Sequence, residues 1–307
     1  MASARKTESL SLGAAFIGVL FFSTGPVIVA NADTSGLTLA TWRVILGTLV
    51  VAPVAIFRGE FSKTIFTKTI VAGIGFGTAS ALFFEAAQLT SVANAALIAV
   101  LQPVPLLIAG ILFFGERVTR TETMWVAMAV VGAVIMVVSS STSGTGDIKG
   151  DLVAVASMLM TAVYFVGSKQ ARQSLDTLPF MVGLWFWSTV VLVPIVLISG
   201  QNFDPGTADE WLRVVGVALL PGAGHFLINY SHRATPLSVV GVLQLFIPVG
   251  ATILALFLLD QDVSVWQWIG MGVVIVSLVT YTTIRTRRDE STEVVNTPAD
   301  ARSSRDG

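Results

Sequence analysis

Two charged residues stand inside long apolar stretches of this sequence: Arg43 in LATWRVILGTLVVAP and Glu85 in SALFFEAAQL. A charge in hydrocarbon costs several kcal/mol, so an ionisable group placed there is a functional candidate. Each sits within two turns of one end of its stretch, at matching depth, which makes an ion pair between them feasible. Two chemistries compete for that pair. It is either a clamp whose opposite charges compensate each other, or a recognition pair in which Arg43 captures a carboxylate and Glu85 binds an amine or a coupling proton. Trp42, beside Arg43, is placed to wall a pocket there.

A second set lies further along. His225, Asn229 and His232 recur at i, i+4 and i+7 and share one helical face. An imidazole titrates near physiological pH, so His225 is a candidate proton relay. The competing reading is that His225 and Asn229 only hydrogen-bond neighbouring helices, with His232 at the membrane interface. No metal centre is expected: two histidines seven residues apart, without a third ligand, make no coordination sphere. Pro103 and Pro248 each fall in the middle of an apolar run, with Gln102 beside the first and Gln244 one turn before the second. A proline inside a helix frees a carbonyl one turn back. In a bilayer that carbonyl needs a partner, which a polar cavity or a substrate can supply. Thr161, Tyr164 and Ser168 share a face of another run.

The elements that must carry these residues follow from composition. Hydrophobic residues make up 54% of the 307 and charged residues only 12%, against about 25% in a soluble domain. Ten of the thirty-seven charges crowd into residues 285–307. The remainder is too sparse to wet a globular surface, which excludes soluble enzymes and secreted scaffolds. A net charge of -1 gives no basic stripe for nucleic acid, and without cysteine there is no thiolate or disulfide chemistry. A membrane-crossing helix needs about 20 apolar residues. That ruler gives ten spans, approximately 10–30, 37–57, 69–89, 92–114, 123–143, 151–171, 179–199, 211–232, 237–259 and 265–284. Threading them puts fifteen of the eighteen basic residues on one side, so both termini are expected in the cytoplasm of a cell membrane. Ala30-Asn31-Ala32 has the look of a cleavage site, but the preceding apolar run exceeds the 7–15 residues or so of a signal core.

A shift of 145 residues aligns the two halves of the chain: Pro103-Val104 falls on Pro248-Val249, and LFFGERVT (112–119) on FLLDQDVS (257–264). Five crossings per half is an odd number, so tandem copies must face opposite ways across the bilayer. The glycines at 73, 75, 77, 222 and 224 are read as sites of close helix approach. Glu116-Arg117 is read as a gate contact or local pair, not a substrate ligand.

Arg43 in its helix and the run VLQPVPLLIAGILFFGERVT (100–119), with its mid-helix proline and Gly-Glu-Arg exit, resemble EamA-type permeases of the drug/metabolite transporter superfamily. The second copy keeps the proline but has Gln261-Asp262 in place of Glu116-Arg117. The likeness covers residues 10–285. It implies an all-α integral membrane protein of ten helices in two inverted repeats, 10–143 and 151–285, flanked by a short N-terminal segment 1–9 and a disordered tail 286–307. It further implies alternating access without an enzyme activity or cofactor. The expected partners are a small-molecule substrate, the lipid bilayer and a coupling proton; a homodimer is left open, and nucleic acid is not expected. The expectation is export of a small polar organic metabolite, an amino acid or related compound. Arg43, Trp42, Glu85, Gln102, Tyr164, His225 and Gln244 would bind it, Glu85 or His225 would carry the proton, and Pro103 and Pro248 would kink their helices. The alternative is a non-transporting scaffold or lipid-handling protein. Polar groups inside the spans speak against it, and so does the absence of any nucleophile–base or metal-ligand motif against an intramembrane enzyme.

Overall fold

Apolar runs of this length must satisfy every backbone group internally, and the computed structural model does so with helices throughout. The structure describes residues 2–89, 96, 98–140, 148–258, 260 and 262–296; for 2–8, 140 and 289–296 only the backbone course is described. In chain order the helices are α1 (Ala2–Ala30), α2 (Gly36–Phe57), α3 (Lys63–Leu89), α4 (Pro103–Phe114), α5 (Arg120–Ser140), α6 (Ile148–Arg172), α7 (Thr177–Ile198), α8 (Ala208–Ser231), α9 (Leu237–Leu243), α10 (Phe246–Leu258) and α11 (Val265–Asn296). Helices α9 and α10 form one broken span, Leu237–Leu258, and α4 is the larger part of another, Ile98–Phe114. The protein therefore has ten crossings in two five-helix repeats. The expected start of the fourth span, with Asn94, lies outside the described residues. The last helix runs on to Asn296 instead of ending near 284, held by an ion pair of 2.7 Å between Arg288 and Glu122; residues 297–307 of the expected tail are outside the described set.

The halves are interleaved. The densest packing crosses between them: α3 with α6 and α7, α1 with α8, α2 with α7 and α8, α5 with α11, and α4 with α9. Each of the dense pairings between the halves either has a counterpart 145 residues on (α1·α8 and α3·α6, α2·α8 and α3·α7, α1·α10 and α4·α6) or is its own counterpart (α2·α7, α5·α11, α4·α9). Such a pattern arises only when a dyad relates the repeats. In lipid the seams depend on small residues that let backbones approach. A Cβ on Gly18 would lie 3.0 Å from the Gly224 carbonyl oxygen in the α1·α8 seam, and one on Gly75 would lie 2.9 Å from the Tyr164 nitrogen in α3·α6. Gly222 differs from its expected role, since its nearest neighbour atom would be 4.0 Å away, on Trp185.

Repetition extends to local stereochemistry. Thr119 and Glu122 form a reciprocal capping box at the start of α5, each bonding the other's backbone N–H; Ser264 and Gln267 do the same at the start of α11. The exit of α4 turns through Gly115 in the left-handed region (φ 63°), and the corresponding exit of α10 turns through Asp260 (φ 49°), a residue type that tolerates this conformation.

Both prolines interrupt their span with one device. The Ala99 carbonyl, which Pro103 cannot bond, accepts from the Gln102 N–H at 3.0 Å; the Gln244 carbonyl, which Pro248 cannot bond, accepts from the Ile247 N–H at 2.9 Å. A 3₁₀ turn thus takes up each freed carbonyl. This corrects the expectation that those carbonyls need a cavity or a substrate. The prolines do break their helices, at 101–102 and 244–245.

Candidate functional site

At mid-height, residues from five helices and both halves meet. Tyr164 on α6 sets its hydroxyl 3.2 Å from His225 Nδ1 on α8, and the Asn229 side-chain amide donates to the same hydroxyl at 2.9 Å. Asn229 also donates to the His225 carbonyl at 2.8 Å, which fixes the i, i+4 pair on its face. Phe22 of α1 and Phe76 of α3 press edgewise on the imidazole, with ring centroids 4.5 and 4.7 Å away. Tyr164, His225 and Asn229 are buried. The network joins residues the sequence placed on separate helices with no sign of their contact.

Arg43 of α2 borders this cluster. Its guanidinium stands 5.2 Å from the centre of the Phe76 ring, a cation–π distance, and Phe76 in turn contacts Tyr164 and His225. Its buried Nε has no hydrogen-bond partner, and among the described residues it forms no ion pair. The expected pairing with Glu85 is therefore absent. Glu85 is exposed, about three turns along the same stripe of α3 as exposed Ile74, while Arg43 is held on the inner side. Nor do the two share a height: Arg43 reaches Phe76, nine residues from Glu85 on α3 and about 13 Å along that axis, which corrects the expectation of matching depth.

Trp42 has another commitment. Its indole N–H donates to the Phe203 carbonyl at 2.7 Å, and its ring packs on Phe203 and Trp211. It ties α2 to the start of α8 and the loop before it. Gln102 and Gln244 sit at the two helix breaks. Gln102 is 8% exposed, and in both residues a buried amide nitrogen lacks a partner. No hydrogen bond, ion pair or ring contact joins them to Arg43 or His225 among the described residues. An unpartnered buried amide costs about 1–3 kcal/mol and is offset when a ligand or water supplies an acceptor.

The two ends of the bundle are closed differently. At the end where the basic loops gather, Glu116, just past α4, reaches across to the second half. Its carboxylate accepts from Lys169 Nζ at 2.8 Å, from the Leu237 N–H, from the Ser238 N–H at 3.1 Å and from the Ser238 hydroxyl. It thereby caps the N-terminus of α9, where orphan N–H groups and the helix dipole favour an anion. Burial works to raise the Glu116 pKa, but the Lys169 ammonium and the hydrogen bonds from Lys169 and Ser238 outweigh it, and the net value lies below the usual 4.5. The sequence left Glu116 as either a gate contact or a local pair with Arg117, and named neither Lys169 nor Ser238 as its partners. At the opposite end Glu210 accepts from the Asp33 and Thr34 N–H groups at 3.2 and 2.9 Å and pairs with Arg213.

Interleaved inverted repeats, two proline-broken spans and a polar cluster enclosed at the midplane define a multi-pass membrane transporter. The comparisons with known proteins narrow the class. The EamA-like transporter family model matches residues 9–138 and 148–283, and this chain belongs to that family. Solute carrier family 35 member G1 of Mus musculus is 23% identical over 288 residues, covering 88% of this chain and 77% of that one. An uncharacterized transporter of Archaeoglobus fulgidus is 24% identical over 263 residues, 84% of this chain and 91% of its own. The pseudopaline exporter CntI of Pseudomonas aeruginosa is 24% identical over 216 residues, 69% and 74% of the two chains. A solved crystal structure superposes with a TM-score of 0.80 at 19% identity, covering 90% of this chain and 98% of that one, which supports the fold.

Proposed function

We propose that this transporter is a secondary carrier that exports a small polar organic metabolite bearing an anionic group, of the amino-acid kind. One observation carries the reading: Arg43 keeps a guanidinium inside the bundle with no carboxylate paired to it among the described residues, next to a tyrosine–histidine–asparagine network. A charge held that way is costly unless a ligand completes it. The orphan amides of Gln102 and Gln244 would bind acceptor groups of the substrate, and Tyr164 and His225 would sense its arrival. The basic end is taken as cytoplasmic by the positive-inside rule, in a cell membrane, with both termini on that side. The exporter among the relatives supports the outward direction. With the Glu116 clamp formed, the carrier is closed toward the cytoplasm, and transport requires the clamp to break. His225 is the better placed of the two coupling candidates, because it contacts the network that borders Arg43, whereas Glu85 has no partner among the described residues.

The test is flux and binding in proteoliposomes with a panel of amino acids, dicarboxylates, polyamines and sugars. Arg43→Gln should weaken binding of the carboxylate-bearing ligand by about a hundredfold, and Arg43→Lys should recover part of it. Equal binding by wild type and Arg43→Gln would end the reading. For coupling, His225→Asn should abolish pH-driven flux while exchange persists, and Glu85→Gln should leave both intact.

A further inference from the structure

A second polar space lies at the basic end, away from the midplane cluster. It is a cavity of about 460 Å³ lined by residues that include Arg58, Glu60, Arg172, Asp176, Tyr230 and Arg233, contributed by α6, α8 and the turns after α2, α6 and α8. Its charges do not cancel. Asp176 is committed to Arg233 in an exposed pair at 3.0 Å. That leaves Arg58 and Arg172 against Glu60, a surplus of one positive charge on the walls.

Arg172 is the informative member. It is 2% exposed, yet among the described residues it has no carboxylate within ion-pair distance. Its Nε donates to the Asn229 carbonyl at 2.8 Å and its Nη1 to the Leu175 carbonyl. Those carbonyls lie near the C-terminal ends of α8 and α6, where the helix dipole favours a cation. Carbonyl partners orient the guanidinium but leave its charge uncompensated. The N–H groups left on its Nη atoms, with a second arginine and the hydroxyls of Ser11, Thr177 and Tyr230 on the same walls, are donors of the kind a phosphate oxyanion takes. Basic pockets between helices at the membrane surface are where anionic headgroups are held.

We infer that this cavity binds a phosphate group, with Arg172 and Arg58 as its principal donors and Tyr230 at its rim. Both an anionic phospholipid headgroup and free phosphate present that chemistry. Because Arg172 bonds the backbone of Asn229, and Asn229 bonds Tyr164, occupancy of the cavity is mechanically linked to the midplane network. The cavity is separate in place from the proposed substrate site, since none of its lining residues belongs to the Arg43 cluster.

The experiment uses the full chain purified in detergent. Thermal unfolding is followed while titrating short-chain phosphatidylglycerol, short-chain phosphatidylcholine or inorganic phosphate, in wild type, Arg58→Gln and Arg172→Lys. Arg58 is exposed, so its variant is expected to fold normally; Arg172→Lys keeps the charge but loses the fork. Phosphatidylglycerol should raise the melting temperature where phosphatidylcholine does not, with affinity at least about tenfold weaker in each variant. That result supports the site with lipid as its source. A shift with inorganic phosphate equal to that with phosphatidylglycerol, also lost in Arg58→Gln, supports the site with free phosphate as its source. Absence of either shift, equal shifts with both lipids, or shifts unchanged in Arg58→Gln would overturn the proposal. Because binding is read without flux, its failure is separable from failure of the substrate assignment.

Discussion

At the basic end, a carboxylate from the first half caps a helix of the second and is neutralised by Lys169. At the corresponding turn 145 residues on, the sequence offers Gln261 and Asp262 in place of Glu116 and Arg117. The counterpart of Lys169 is Thr24, whose hydroxyl is spent on the Phe21 carbonyl of its own helix at 2.7 Å. The repeats therefore share their skeleton, down to capping boxes, proline breaks and left-handed exits, and differ in what locks the exit. On the alternating-access reading proposed above, a dyad in the backbone would relate a closure at each end, and each end is held by its own carboxylate: Glu116 with Lys169 at the basic end, Glu210 with Arg213 at the other.

Four experiments would break or sharpen that contrast. The largest effect is expected from Glu116→Gln, which leaves Lys169 without a counter-charge and should destabilise closure of the basic end by about 2–4 kcal/mol, a population shift approaching a hundredfold or more. The chain has no cysteine, so a single Thr235→Cys substitution beside the clamp reports the change. Its labelling by an impermeant thiol reagent should accelerate at least about tenfold in Glu116→Gln, and equal rates would remove Glu116 from the gate. The mirrored change, Gln261→Glu, finds no lysine at position 24 and should alter labelling less than about threefold.

Acid should reproduce that loss. Because the folded pKa of Glu116 lies below 4.5, its stabilisation is fully present above that value and disappears as the pH falls through the lowered one. Labelling, taken relative to a freely exposed cysteine at each pH to remove the thiolate dependence, should be slow and flat from about pH 8 to about pH 5 and rise only at lower pH; a relative rise near neutrality would mean that another group controls the gate. Next in size are the capping boxes. Glu122→Ala loses a buried partner of Arg288 as well as a cap and should cost about 2–3 kcal/mol in detergent unfolding, against about 0.5–1 for Gln267→Ala. Smallest are the exits: Gly115→Ala should destabilise by about 1 kcal/mol, while Asp260→Gly should stabilise by less than about 1. Equal costs at both caps, or at both exits, would mean the halves are more alike than their charges suggest.

The spans, the repeat and the segregation of basic residues were legible because bilayer thickness and charge placement act on composition, which a single sequence displays. Residues 116 and 117 could be read as an exit contact from their place after a proline-containing run. Azimuth was not legible. Helical spacing put Arg43 and Glu85 at one depth, but packing sets Arg43 against Phe76, nine residues from Glu85 on α3, and turns it inward while Glu85 is exposed. The partner of Trp42 was hidden for the same reason, since the loop that captures its indole lies some 160 residues away in the chain. The meeting of Tyr164 with His225 depends on how closely α3, α6 and α8 approach, which glycines permit without naming their partners. The fate of the proline carbonyls turned on a local choice between an α and a 3₁₀ turn, a difference of fractions of a kcal/mol that no pattern of residue types records.

Interleaving also sets a timetable for the ribosome. The α1 seam residue Gly18 meets Gly224, and the α2 indole at Trp42 meets Phe203, so surfaces made early wait for partners translated much later. At about 5–20 residues per second the first helix spends on the order of ten to forty seconds in the membrane before its mate exists. Neither pentad has a finished interior of its own. Quality control during insertion must therefore tolerate a half-built protein, and a truncation before α6 should leave the first helices without their main partners for proteases to clear.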